Sequence, residues 1–252
     1  MYKIGKNKNG KYNVLLMSDL HLCHNMATMH LVEKAYEYAY LKGIRYVINL
    51  GDLIEGVMPH NERHLQIGTV KEQVEYVISN YPKVSGIKTL MLYGNHDYYS
   101  MLTDNYDVAK EISNERKDII NLGYGEGCIK ILSNYIKLSH EIPGLRHYKS
   151  DFETFITLIG HTHAYRIAIY DDNLHIYVPS LSFLKPDKKI NTPAILDADF
   201  KLNEKGIIDS MYVNYVDMEK GEVLANFTYT VPMNNKKYLR IKEKFKEYNN
   251  SR

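Results

Sequence analysis

Three apolar runs in the first hundred residues each break off, at the C-terminal end, into the same kinds of polar side chain. That recurrence constrains the fold more than any other feature of the 252-residue chain. The first run, Tyr12–Met17, gives way to Ser18 and Asp19; the second, 45–50, to Gly51 and Asp52; the third, 88–93, to Gly94, Asn95, His96 and Asp97. Runs this short, bounded by turn residues, read as strands. Between the first two, Met29, Val32, Tyr36 and Ala39 recur at helical spacing before Gly43, and between the next two Val70, Val74, Val77 and Ile78 do so before Pro82. Such spacing predicts helices with one apolar face, stopped by Gly and Pro. Alternation of this kind implies right-handed crossovers and a mainly parallel sheet.

From Cys128 onward the rhythm changes. Short β-type runs at 135–139, 155–159, 166–170 and 174–178 follow one another with few helical intervals, and Asp171-Asp172-Asn173 reads as a hairpin turn. Further runs at 194–196, 211–216 and 223–230 extend the β character. The expectation is one α/β domain with two sheets over 1–232 and a basic amphipathic helix, 233–252, docked on it. In that last segment Tyr238, Ile241, Phe245 and Tyr248 share a face, while Lys236, Lys237, Arg240, Lys242, Lys244 and Lys246 make the other side cationic. A stripe facing nucleic acid is the alternative use of those cations.

A hydrophobic content of 44% with 25% charged residues is that of a folded globular chain, and a formal net charge of +2 excludes a histone-like or acidic-tail protein. Cys23 and Cys128 are too few to staple a domain of this size and lack the paired spacing of a zinc ribbon, so free thiols are expected. No apolar run reaches the ~18 residues of a membrane span. The start of the chain is polar, without the apolar core of a secretory signal. A cytoplasmic protein with no membrane partner is expected.

Five strand ends carry His, Asp or Asn: Asp19 and His21, Asp52, Asn95 and His96, then His140 after 135–139, and His161 with His163 after 155–159. In open α/β sheets that edge is where ligands bind. Carboxylate, imidazole and amide oxygen suit a divalent ion such as Mn²⁺, Fe²⁺ or Zn²⁺ better than a thiolate site would. Residues two apart in extended chain share a face, so Asp19 and His21 converge, as do His161 and His163. The set exceeds what one ion needs. Two ions sharing a carboxylate is the economical reading.

Asp19-Leu20-His21, Gly51-Asp52, Gly94-Asn95-His96-Asp97, Ser139-His140-Glu141-Ile142-Pro143 and Gly160-His161-Thr162-His163 stand in an order and spacing that resembles the calcineurin-like metallophosphoesterases. The resemblance covers Asp19 to His163 and no motif lies beyond. It implies two packed β-sheets flanked by helices, a four-layer α/β sandwich. It implies one metal held by Asp19, His21, Asp52 and His163 and another by Asp52, Asn95, His140 and His161, with Asp52 as the bridge. Mn²⁺ is favoured, with Fe²⁺, Zn²⁺ or Ni²⁺ as alternatives. His96 would face the scissile phosphate as a catalytic group rather than a ligand, and Asp97 would orient it. The implied activity is phosphoester hydrolysis by a metal-bridging hydroxide, with a phosphoester as the partner.

Within such a family the sequence favours a phosphodiesterase. The protein phosphatases carry a phosphate-gripping arginine after Gly-Asp, whereas here Gly51-Asp52 is followed by Leu53-Ile54-Glu55-Gly56. The lipid-precursor pyrophosphatases place arginine where His96 stands. The alternative is a DNA or RNA nuclease of the repair-exonuclease type, and the reading from another class is a non-catalytic scaffold on the same fold. Retention of His96 and every ligand weighs against the scaffold. Glu55 reads equally as an acceptor behind a ligand histidine or as a first-turn helix acid. His24, His30, His60, His64, His147 and His175 lack partner spacing and take surface or capping roles, with His24, His60 and His64 also placed to rim the site.

Overall fold

The computed structural model describes residues 1–142, 154–170, 173–184 and 192–232. Two mixed sheets are stacked. One runs in the order β1 (Tyr2–Lys3), β6 (Glu126–Ile131), β7 (Asn134–Ser139), β8 (Ile156–Ile159), β10 (Asn173–Tyr177) and β9 (Arg166–Tyr170). The other holds four parallel strands, β2 (Tyr12–Met17), β3 (Tyr46–Leu50), β4 (Lys88–Tyr93) and β5 (Ile119–Tyr124). An antiparallel meander of β11 (Ala194–Leu202), β12 (Ile208–Asp217) and β13 (Glu222–Thr230) extends it beyond β2. The sheet expected to be mainly parallel is parallel only from β2 to β5, the half that carries helical crossovers. Late strands joined by short turns add to its other edge antiparallel, as hairpin connections require.

Side-chain alternation builds the layers. Val14 and Leu16 of β2, Ile48 and Leu50 of β3, and Leu90 and Leu92 of β4 point into the inter-sheet core against Ile136, Leu138, Leu158, Leu174 and Ile176. Their neighbours Leu15, Met17, Val47 and Met91 point the other way, onto a layer of helices. Burial on both faces is why these strands read as unbroken apolar runs. In the helix layer α1 (Met29–Leu41) is capped by Thr28, whose side chain accepts from His30 N, and α2 (Val70–Asn80) by Thr69, which accepts from Glu72 N. Two further helices, α3 (Asn95–Thr103) and α4 (Val108–Glu115), were not evident in the sequence. The buried side chains of α4 are only Val108, Ala109 and Ile112, and those of α3 are Asp97 and Ser100, too few apolar positions to show a period.

Tyr170 pairs with Asn173 in the antiparallel register of β9 and β10. Asp171, Asp172, Pro143, His147 and the basic segment 233–252 lie outside the described residues. Both cysteines are free thiols.

Arg116, just past α4, fastens the lower edge of the parallel block. Its guanidinium donates to Asp118 at 2.9 and 2.7 Å and to the carbonyls of Ile78, Tyr81 and Pro82 at 2.8–3.1 Å. The hydrogen bond from Arg116 holds the Asp118 carboxyl below its usual range against the opposing effect of burial. Arg116→Ala is expected to destabilise the protein by about 2–4 kcal/mol at neutral pH, since it strands a half-buried carboxylate and three carbonyls. A depressed carboxylate contributes stability above its unfolded pKa of about 3.9, lost as pH falls through the folded value. Urea titrations should show the gap between wild type and variant constant from pH 7 to about 5 and narrowing below pH 4. A gap independent of pH would remove the ion pair from the account.

Candidate metal centre

Beyond the sheet edge, the chain after β2 and the chain after β3 continue side by side. Asp19 N donates to Gly51 O, His21 N to Asp52 O and Leu22 N to Leu53 O, each at 3.0 Å, and Glu55 N to Leu22 O at 2.9 Å. To run this way while aiming side chains inward, the backbone turns left-handed at Asp19 (φ 53°), His21 (φ 45°) and Asp52 (φ 51°), and again at His161 (φ 74°) and His163 (φ 57°). Each such non-glycine residue costs on the order of 1–3 kcal/mol, a cost characteristic of sites where side-chain direction matters. Gly51 (φ 107°) and Gly94 supply close approach: a Cβ on the first would strike the His140 ring, and on the second the Asp52 carboxylate.

The predicted donors meet. His21 Nε2 lies 3.1 Å from His163 Nε2, and His163 Nε2 lies 3.4 Å from Asp19 Oδ1. On the other side Asn95 Oδ1 is 3.1 Å from His140 Nε2 and 2.9 Å from His161 Nδ1. Asp52 stands between the two groups. Its Oδ2 is 3.7 Å from His21 Nε2 and 3.2 Å from His140 Nε2, while Oδ1 accepts from His96 N at 2.9 Å. Ligand atoms of Asp19, His21 and His163 lie within 4.8 Å of one another, as do those of Asp52, His140 and His161 and those of His21, Asp52 and His96.

The electrostatics of the cluster fit a cation. Asp19 Oδ1 is buried without a hydrogen-bond partner. The rings of His21 and His140 are each turned by an acceptor behind them: His21 Nδ1 donates to Glu55 Oε2 at 2.7 Å and His140 Nδ1 to Leu50 O at 2.6 Å. Both Nε2 atoms therefore face inward. The Nε2 atoms of His21 and His163 stand 3.1 Å apart, a spacing spanned by one shared proton, which a cation could replace. Burial works to lower the His140 pKa, but the charge and hydrogen bond of Asp52, with Asp19 and Leu50 O, overcome it and raise the imidazole to about 9. Burial likewise opposes ionisation of Asp52, and His140, His96 and His21 outweigh it, holding that carboxyl well below its usual range. Mostly buried acceptors, one of them without a hydrogen bond, match a divalent-ion site built from carboxylate, imidazole and amide.

Asp97 is placed otherwise than expected. Its carboxylate does not touch the His96 ring; it accepts from Leu53 N, Ile54 N and Gly94 N at 2.8–3.1 Å. As the third residue of α3 it folds back over the helix start and clamps the loop after β3 to the loop after β4. Burial, then the charge of Asp52, push it up to about 7 against the pull of those three amides. The ring of His96 is set instead by Glu55: His96 Nδ1 donates to the Glu55 carbonyl at 2.8 Å and lies 3.5 Å from Glu55 Oε2. Glu55 thus stands behind both His21 and His96. Asn61, which the sequence did not single out, donates to Glu55 Oε1 at 2.8 Å. Ser180 was also missed, although the strand-end rule applied to β10 leads to it; its Oγ donates to Asp19 O at 2.8 Å.

No family model and no curated protein sequence matches the chain. Solved structures do. The chain is similar to a purple acid phosphatase from yellow lupin, with TM-score 0.56 and 10% identity over 90% of this chain and 55% of that one. It is also similar to an archaeal phosphodiesterase (TM-score 0.45, 16% identity, 86% of this chain and 99% of the other). Vacuolar Protein Sorting 29 from Cryptosporidium parvum aligns with TM-score 0.49 and 17% identity over 86% and 97% of the two chains. Two stacked mixed sheets, a helix layer over the parallel block and a His/Asp cluster at the strand ends give this chain the calcineurin-like metallophosphoesterase fold.

Proposed function

We propose that the protein is a metal-dependent phosphoester hydrolase acting on phosphodiesters. The observation that carries this reading is the convergence of Asp19, His21 and His163 on one side of Asp52 and of Asn95, His140 and His161 on the other, with Asp19 Oδ1 buried and making no hydrogen bond. Asp19, His21, Asp52 and His163 would hold one divalent ion and Asp52, Asn95, His140 and His161 the other, with Mn²⁺ favoured among Mn²⁺, Fe²⁺, Zn²⁺ and Ni²⁺. Ions held there supply Lewis-acid polarisation of the phosphoryl oxygens and activation of water at neutral pH. The protein's own part is orientation and proton transfer. In the reaction a water oxygen joins phosphorus, the bond from phosphorus to the leaving oxygen breaks, and that oxygen needs a proton. His96 would deliver it as the imidazolium: Nδ1 donates to the Glu55 carbonyl, the Nε2 proton passes to the leaving oxygen, and the proton released by the attacking water recharges the ring.

The diester preference rests on charge. A dianionic monoester gains from a fixed cation, and the stretch after Asp52 offers only Leu53, Ile54, Glu55 and Gly56, all buried. A monoanionic diester needs less. With Mn²⁺ supplied, bis(p-nitrophenyl) phosphate is expected to be hydrolysed faster than p-nitrophenyl phosphate. Monoester rates tenfold or more above diester rates would overturn the preference. Inactivity on both esters and on DNA with each of the four metals would favour the scaffold reading.

A further inference from the structure

One wall of the centre has no part in the reaction just described. The loop at 57–66 packs along the residues that follow His21: Gln66 N donates to Cys23 O at 2.7 Å and Asn25 N to His64 O at 2.9 Å. Asn61 ties this loop to the centre, its Oδ1 accepting from Met58 N while its Nδ2 donates to Glu55. On the wall the imidazole of His24 stacks on that of His64, with ring centroids 5.5 Å apart and planes inclined by 26°. His24 is buried and fixed, its Nδ1 accepting from Met26 N at 2.9 Å. It sits close enough for Glu55, His21 and His96 to act on its charge. His64 is exposed, at the end of a single 3-10 turn, Glu62–His64, and Met26, two residues from His24, is 44% exposed. A buried ring thus backs an exposed one, presenting a flat, ordered π surface with an apolar neighbour beside the reacting centre.

We propose that the His24–His64 stack is a subsite for a planar aromatic group on the phosphoester, a nucleobase being the class that fits; this rests on the hydrolase reading above. Stacking on an aromatic platform accepts any base because every base has a π face. An aliphatic chain would gain little against imidazole edges open to water.

The test uses two diesters with one leaving group, thymidine 5′-(p-nitrophenyl phosphate) and methyl p-nitrophenyl phosphate, on the full chain with Mn²⁺. The wild type should favour the nucleoside ester in kcat/KM by about tenfold, the size typical of one stacked base. His64→Ala should bring the ratio near one through KM, and His64→Phe, which keeps a flat ring, should restore it. A ratio unchanged in His64→Ala overturns the subsite. If neither ester is turned over with Mn²⁺, Fe²⁺, Zn²⁺ or Ni²⁺, the hydrolase reading falls, and thymidine 5′-monophosphate binding followed by NMR still decides the subsite. Binding weakened in His64→Ala and recovered in His64→Phe supports it. Equal binding by wild type and His64→Ala, or none by wild type, sinks it.

Discussion

Asp52→Asn is expected to lower metal occupancy at both positions at once and to cut phosphodiester hydrolysis by about 10³-fold or more, as loss of several kcal/mol of transition-state charge stabilisation requires. The geometry behind this is a single oxygen, Asp52 Oδ2, standing 3.7 Å from His21 Nε2 and 3.2 Å from His140 Nε2. An amide removes the charge both groups share while keeping the shape. His163→Ala, by contrast, should empty mainly the position it shares with Asp19 and His21. Metal analysis of the folded variants after equilibration with Mn²⁺ reads the difference. Retention of two ions by Asp52→Asn would sink the bridging role.

His96→Ala should leave metal content near wild type and slow hydrolysis by roughly 10²–10⁴-fold, the usual worth of a positioned general acid. The loss should depend on the leaving group. Nitrophenolate departs with little need of a proton, so nitrophenyl esters should suffer less than alkyl or nucleotide esters. Equal loss on both kinds would leave His96 as an electrostatic group only. Because the Glu55 carbonyl rather than Asp97 sets the His96 ring, Asp97→Asn should act through loop placement and slow both kinds of ester alike.

The parallel strands β2, β3 and β4 and the residues at their ends were legible because burial on both faces makes an unbroken apolar run, and polar residues at its end then stand out. Asp19, His21, Asp52 and Asn95 were found this way, His140 after the alternating run of β7, and His161 and His163 after the short run of β8; the structure brings them together. The short strands β1, β5 and β6 were not legible: β5 carries Asn121 and Gly123, and β6 has half-buried Glu126, Gly127 and Cys128, so neither shows a clean period. Nor was the work of Asp97. A carboxylate next to a catalytic histidine in sequence reads as its partner, yet at the third position of a helix its geometry favours backbone amides. Support for His140 comes from the carbonyl of Leu50, and no side-chain motif records a backbone acceptor.

Asp19, His21, Asp52 and Asn95 extend from one sheet, and His140, His161 and His163 from the other, so neither sheet alone owns the centre. His21 and His163 touch across 142 residues of chain. On a ribosome the N-terminal part emerges first, and its half of the ligands is exposed while the other half is still unmade. An incomplete set would hold an ion weakly. On the proposed metal reading, an ion spanning both sheets would act as a rivet, stabilising the closed sandwich in proportion to the logarithm of its concentration over its dissociation constant. Metal supply would then be a lever on the lifetime of the folded chain as well as on the proposed chemistry.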